Sequence, residues 1–586
     1  ITFDGGTGNA ATRIIAYSTT NTYDPTWLFD GADYITLKNL TVRATNPTYG
    51  FAVQLSPGAD GLGSNYNTLM NCNLECPVNT TSSYHSPLVA STIGSISGYA
   101  NNANYTLVQD CNIVSGYYGI RWNGLTSSNY TNNVGNEFIG NNIYDWYYYG
   151  TYFYYTGSGL KIKKNSVVQR NTGTFTTSSG YGIYGYYNND GPEISYNYAR
   201  AAYAPFYLPY LNYVYASTSN RGKVFNNMLV GIGTSTIYAF YVNYPKYTDV
   251  VFNSAYASTS GTCYGGYWYG ESSSYDNKYA NNWVVLQGGG TFYPIYNYYS
   301  SSISYCNYNA FYRIGTTGTN YFYWNGTNYT SLAALQTAVS TQHQNSKWGN
   351  PYFHSQTDLH SNSHIGYQAG TPWAGITDDH DGDTRNTLTP SIGADEYPAP
   401  PPELDLAVAK VRLNYADNKF ARIEGTATHA VDVVVQNTGL STNPATFDVV
   451  YKVGSMPTSA VDGVAQTFSP TWVGNRAKVT FATPVTAQLP SPGITVYARV
   501  FWAQDQDGAN DGGSDTRKFD IVKVHGQENF NLMAAPNFSD LAGFLDYDWM
   551  VDNANGGETW RVEPGVGNSG TNALYYAGDG QQGNDW

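Results

Sequence analysis

The sequence predicts an all-β chain, a parallel β-helix solenoid followed by an antiparallel β-sandwich. Three observations carry this: a strand-like phrase that returns about every 30 residues, no helical periodicity between its copies, and longer alternating strands beyond a proline-rich run at 398–402. Composition agrees. Of 586 residues, 58 are Tyr and 61 are Gly, while only 12% are charged, against roughly 25% in an ordinary globular chain. Residues 1–330 hold 49 of the tyrosines and equal numbers of acids and bases, 14 each, so the formal charge of −14 lies beyond them. That deficit of clustered cations argues against nucleic-acid binding. An aromatic content of 16% supplies too much buriable surface for disorder, and no apolar run is long enough for a membrane-spanning helix.

The repeat reads Ile162-Lys-Lys-Asn165-Ser-Val167, Ile194-Ser-Tyr-Asn197-Tyr-Ala199, Val224-Phe-Asn-Asn227-Met-Leu229 and onward. Aligned copies give one column: Leu40, Cys72, Cys111, Asn141, Asn165, Asn197, Asn227, Asn253, Asn282 and Cys306. A second strand recurs in each coil, as in Tyr118-Gly-Ile120, Tyr149-Gly-Thr151 and Tyr181-Gly-Ile183, so a coil carries at least two strands and a turn. Asn tolerates the left-handed backbone of a tight corner, and its amide can bond the same residue one coil away. Asn141, Asn165, Asn197, Asn227, Asn253 and Asn282 are therefore expected to form a ladder. Cys72 and Cys111 share the slot on adjacent coils, within nominal disulfide reach; small buried thiols in place of Asn are the reading preferred. With Cys76, Cys263 and Cys306 the count is odd and matches no zinc spacing.

From Tyr329 the pattern changes. Leu332, Leu335 and Val339 follow a Thr/Ser start at helical spacing and predict one short amphipathic helix. Then come Asn345-Ser-Lys-Trp348-Gly-Asn-Pro351, Asp358-Leu-His360, Asp379-His-Asp381-Gly-Asp383-Thr-Arg385 and Ser391-Ile-Gly-Ala394-Asp-Glu396-Tyr397. In this order the phrases resemble the closing segment of right-handed parallel β-helix proteins found in large bacterial surface and secreted polypeptides of the Bacteroidetes type. Phe3-Asp-Gly-Gly and Asp33-Tyr-Ile-Thr-Leu-Lys-Asn39-Leu resemble the same family's first coils. The resemblance implies a right-handed helix over 1–328, a helix and C-terminal cap over 329–397, and an exported, extracellular or cell-surface location, without implying an activity. His364 departs from it, standing where the family has Pro.

A Pro-rich linker, 398–403, marks a domain boundary. Beyond it, Ala430-Val-Asp-Val-Val-Val435, Phe447-Asp-Val-Val-Tyr451 and Ile494-Thr-Val-Tyr-Ala-Arg-Val500 are spaced as in a sandwich. Asp432-Val-Val-Val-Gln-Asn437-Thr-Gly439 resembles the bacterial cell-adhesion-related domain, which implies an immunoglobulin-like fold over 404–524. Residues 525–586, with Trp549, Trp560 and Asp585-Trp586, resemble the start of a MAM-like module, implying a partial jelly roll. Ile1-Thr2-Phe3 and Asp585-Trp586 both lie in mid-pattern, so the chain reads as a fragment of a longer polypeptide.

A β-helix glycosidase needs paired carboxylates, and a lyase needs a base with calcium or a cation. Asp190 with Glu193, Asp30 with Asp33, and Asp145 are the candidates, and Asp190-Gly-Pro-Glu193 reads as a turn. Lys161, Lys163, Lys164 and Arg170 read as a solvated strand face. His354, His360 and His364 invite zinc but lack a completing ligand. Asp379, Asp381 and Asp383 alternate as in half a calcium loop, as do Asp505 and Asp507 before Asp511, though neither has the terminal Glu. A polar turn is the plain alternative, and no other cofactor is expected.

Alternate strand residues face opposite sides, so segments such as Tyr147 to Tyr155 should leave columns of outward rings. Tyr118, Tyr149, Tyr152, Tyr181 and Tyr184 are the binding candidates, against a reading in which rings fill the interior and wet their hydroxyls. The function expected is a non-enzymatic structural or adhesive surface protein, meeting other copies of itself, other surface proteins or extracellular glycans. The alternative is a secreted polysaccharide lyase or glycoside hydrolase.

Overall fold

The computed structural model describes residues 1–19, 21–125, 132–270, 275–315, 318–415, 425–489, 491–519, 560–563 and 573–576. They divide into two units, 1–400 and 401–586.

The first unit is a parallel β-solenoid. Each coil gives one short strand to each of three parallel sheets: a first from Thr2–Asp4 to Ile303–Asn307, a second from Ile14–Tyr17 to Lys347–Trp348, and a third from Pro25–Asp30 to Phe322–Trp324. The repeated phrase of the sequence is two of these strands and the corner between them; Lys161–Lys163 belongs to the first sheet and Ser166–Gln169 to the second. The Tyr-Gly strands build the third.

Register is kept from coil to coil, so every inward slot becomes a column. Phe138, Ile162, Ile194, Val224 and Val250 stack in the first sheet, and Ile143, Val167, Ala199 and Leu229 in the second. All are at most 1% exposed. Burying an aliphatic or Phe side chain of this size stabilises by roughly 1.5–3 kcal/mol.

Between the first and second sheets runs the asparagine column. Asn165 Nδ2 donates one hydrogen to Asn197 Oδ1 at 3.0 Å and the other to the Phe138 carbonyl at 2.8 Å, while its Oδ1 accepts from Asn141 N and Nδ2, both at 2.9 Å. The same set recurs at Asn197, Asn227, Asn253 and Asn282. Each buried amide thus has every donor and acceptor matched.

Two details differ from the expectation. The column continues into Asn309, which accepts from Asn282 Nδ2 at 3.1 Å, and not into Cys306. A register shift at Asn277/Lys278 sets Cys306 opposite Tyr279, inside the core. The left-handed backbone, moreover, belongs to the residue before each ladder Asn: Gly140, Lys164, Tyr196, Asn226, Phe252 and Asn281. That residue turns the corner, and the Asn after it is left with its amide aimed into the column. Cys72 and Cys111 occupy the same column before Asn141; all five cysteines are free, buried thiols.

The helix, Leu332–Ala338, is N-capped by Ser331, whose hydroxyl accepts from Ala334 N at 3.1 Å. It sends Leu332 and Leu335 into the solenoid core. The segment after it does more than close an end. Leu359, Ile392 and Ala394 pack on Met228, Val230, Tyr256, Trp283 and Val285, the outward residues of the second sheet. Arg385 pins it there, its buried guanidinium donating to Asn226 Oδ1 at 2.8 Å and lying 4.1 Å from the Phe252 ring.

The second unit holds two antiparallel four-stranded sheets. One joins Leu406–Tyr415, Gly425–Asn437, Arg476–Thr480 and Val485–Leu489; the other joins Val464–Phe468, Phe447–Val453, Ser491–Phe501 and Gly512–Phe519. They share one core, with Val431, Val433 and Val435 from the first and Val449, Val496 and Val500 from the second. Of the region expected as a jelly roll, Trp560–Glu563 pairs antiparallel with Ala573–Tyr576, and the rest, Trp549 and Trp586 included, lies outside the described residues. No helix among the described residues is long and apolar enough to cross a membrane.

Asn197→Ala removes an acceptor from two donors of Asn165, and donors from Asn227 Oδ1 and the Ile162 carbonyl. Unmatched buried polar groups cost about 1–3 kcal/mol each. The expected outcome is a loss of about 2–4 kcal/mol in urea unfolding of the solenoid, with Asn197→Asp worse because it buries a charge.

Candidate functional site

The third sheet turns two rows of tyrosine outward. From Tyr149–Thr156 onward most of its strands carry the pattern Tyr-x-x-Tyr, in which the two middle residues are buried in succession and the tyrosines on either side are half-buried. Strict alternation would space outward rings by two; here they are spaced by three. Gly150 shows why, since a Cβ there would lie 2.3 Å from Val167 Cγ1 and 2.7 Å from the Gly182 carbonyl. Gly, Ala or Pro fills that position in neighbouring coils.

One row runs Tyr118, Tyr149, Tyr181, then Tyr238, Tyr264 and Tyr293, with face-to-face ring distances of 5.1, 5.0, 4.8 and 5.0 Å within its two runs. Between the runs, Ala204 occupies the slot and Tyr203 covers it, meeting Tyr181 and Tyr238 edge-on at 5.1 and 5.4 Å. The second row is unbroken. Tyr152, Tyr184, Tyr207, Tyr241, Tyr267, Tyr296 and Tyr323 stack at 4.7, 5.2, 4.1, 5.0, 4.9 and 4.2 Å. Arg121 heads it, 5.1 Å from the Tyr152 ring and 4.6 Å from Tyr118. These spacings follow the 4.7–4.9 Å separation of paired strands.

The rows meet edge to face, as Tyr149 does Tyr152 at 5.1 Å. Burial pushes the hydroxyls of Tyr149, Tyr152, Tyr181 and Tyr184 far up, aided by repulsion from neighbouring phenolates and opposed at Tyr152 by Arg121, so these rings stay uncharged throughout the physiological range. Tyr118, Tyr149, Tyr152, Tyr181 and Tyr184 all lie in these rows. Tyr241, Tyr267 and Tyr296 join the second row and were legible through the Tyr-x-x-Tyr spacing, whereas Tyr207 and Tyr323 follow Ala204 and Asn320 at that offset and are placed in the row by strand pairing alone.

The carboxylates are each engaged separately. Asp190 accepts from Asn220 Nδ2; Glu193 accepts from Ser195 and lies 3.9 Å from Lys163; Asp30 accepts from Ser56 and Asp33 from Asn65 N. Arg170 is not on a solvated face with Lys161, Lys163 and Lys164. It follows the next strand, and its guanidinium is fully buried between Asp145 and the carbonyls of Thr80 and Thr174.

Asp379 closes a turn. Its Oδ1 accepts from the backbone of Asp381, Gly382 and Asp383 at 2.8–2.9 Å and its Oδ2 from Glu396 N at 2.7 Å, so Asp381 and Asp383 are not drawn onto one point with it. Asp381 instead faces His360, which bridges Asp358 and Asp381, with Asp395 within ligand distance of the pair. His354 lies 3.6 Å from Asp358; among the described residues His364 joins no such cluster.

No family model, curated protein or solved structure matches the chain.

Burial opposes charge on His360, but its hydrogen bonds to Asp358 and Asp381 outweigh this and hold its pKa up at about 9. A raised folded-state pKa contributes stability that is complete below the unfolded value near 6.5 and is lost as pH rises through 9. Asp395, which burial pushes up to about 6, titrates below that window. Amide-exchange protection of 358–361 and 379–383 is therefore expected to fall between pH 6.5 and 9, and to become flat there in His360→Ala.

Proposed function

We propose that the chain is a non-catalytic structural or adhesive part of an exported surface protein, with the tyrosine rows of the solenoid as its contact surface. One observation carries the reading: an unbroken column of seven stacked rings beside a second row on the same sheet face. Beyond Arg121 at its head the rings of this face are uncharged, and they are already ordered by their neighbours, so contact orders few further rotamers.

The stacking also bears on the kind of partner. Each ring covers its neighbours' faces, leaving edges and hydroxyls outward at intervals near the strand spacing. A sugar stacks on an open ring face, whereas a second regular protein surface can meet edges and hydroxyls in repeat. This favours other copies of the chain or other surface proteins over glycans. The export part of the proposal rests on the ordered resemblance of 329–397 to bacterial surface β-helices.

Tyr184→Thr, Tyr241→Thr and Tyr267→Thr together keep strand-forming residues while opening the second row. Sedimentation of the full chain is expected to show concentration-dependent association weakened at least tenfold in this variant, at unchanged circular dichroism. Equal association of the variant removes the tyrosine face as the contact; a monomeric wild type removes self-association, and retention on immobilised polysaccharide that the variant loses would assign the face to glycans.

A further inference from the structure

The second unit gathers carboxylates that its sequence neighbours do not explain. Asp505, Asp507, Asn510 and Asp511 lie in the turn between Ser491–Phe501 and Gly512–Phe519. Asp405, a hundred residues away, enters the same place just before Leu406–Tyr415. One carboxylate oxygen from each of Asp405, Asp505 and Asp511 lies within 4.8 Å of the others.

Backbone and side-chain donors hold these groups but leave part of each open. Leu406 N donates to Asp505 Oδ2 at 2.9 Å and Asp507 N to its Oδ1 at 3.0 Å. Thr438 Oγ1 and Asn510 Nδ2 donate to Asp405 Oδ2, and Arg499 reaches Asp511 Oδ2 at 3.4 Å. Asp405 Oδ1, Asp511 Oδ1 and Asn510 Oδ1 are buried and, among the described residues, have no hydrogen-bond partner. Asp405 is 2% exposed and Asp511 7%.

Buried acceptors without donors are costly, and three approaching carboxylates beside one guanidinium leave negative charge uncompensated. A cation would satisfy all these groups together.

We propose that Asp405, Asp505 and Asp511, with the Asn510 side-chain carbonyl, form a calcium site that ties the strand Leu406–Tyr415 to the turn before Gly512–Phe519. The donor set selects the ion class: every ligand is a hard oxygen, with no His or Cys to favour zinc or copper. Calcium also accepts mixed carboxylate and amide oxygens in flexible geometry, whereas magnesium demands near-ideal octahedral ligands and keeps its waters. The alternating Asp505 and Asp507 do not need the terminal Glu of a contiguous loop, because Asp405 supplies a carboxylate from elsewhere in the chain.

The test is calcium titration of the full chain by calorimetry, with amide exchange of 404–411 and 499–513 in EDTA and in 5 mM calcium. The wild type is expected to bind calcium there and to gain at least tenfold protection in both segments. Asp405→Asn with Asp511→Asn should lose that gain, yet be no less protected than wild type in EDTA because it relieves the repulsion. No calcium-dependent protection in the wild type overturns the proposal, as does an undiminished gain in the double variant. So does a double variant already less protected in EDTA, since the carboxylates would then be acting as structural acceptors.

Discussion

From Asn141 to Asn309, one buried side-chain amide per coil fixes the geometry of the solenoid. Asn can take this role because it has two donors and two acceptor sites in a planar group: it receives from the coil before, gives to the coil after, and returns one hydrogen to a backbone carbonyl behind it, as Asn165 does. No other residue of that length matches the arrangement. Asp lacks the donors, and Cys, which occupies the column at Cys72 and Cys111, makes only weak contacts to carbonyls. Because the bonds run between neighbouring coils, the ladder sets a single register from Asn141 onward, and the other columns of those coils share it.

The tyrosine rows are such an inheritance. A Tyr placed outward at one position of the third sheet is brought within ring contact of the next coil's Tyr by the strand spacing alone, and aromatic pairs of this kind are worth about 0.5–1.5 kcal/mol beyond area burial. The site candidate and the fold therefore share one cause. On the second sheet the outward residues from Met228 to Ala310 are instead covered by the segment through Leu359, Ile392 and Ala394.

The coil period, the ladder from Asn141 to Asn282 and the strands of both units were legible because each leaves a periodic trace in the chain. What escaped is what depends on local backbone shape or on distant residues. The slip that puts Cys306 in the core arises from a register shift at Asn277/Lys278, which an alignment on Asn cannot show. The left-handed corner went to the ladder residue because Asn is its usual occupant, whereas Lys164, Tyr196 and Phe252 hold it here. Arg170 resembled a surface charge because its partners, Asp145 and the Thr80 carbonyl, come from other coils. Asp405 could not be joined to Asp505 and Asp511 without the sandwich that brings its first strand beside the last turn.

The shortage of charge follows from the same stacking. Whatever stands at a position is repeated one strand spacing away, and two like charges about 4.8 Å apart repel by roughly 1 kcal/mol even in water. The first sheet meets this by alternation: Glu137, Lys161, Glu193, Lys223, Asp249 and Lys278 occupy one register position in successive coils, each beside its opposite. Asp4 with Lys38 and Arg43 with Glu75 do the same elsewhere. A column of charges must therefore alternate in sign along its whole length, and one substitution sets like against like on both sides. Tyrosine carries no such condition: it repeats without limit, gains from its neighbours, and keeps a polar group at the surface. Equal numbers of acids and bases in residues 1–330, and 49 tyrosines beside them, are the composition this constraint selects.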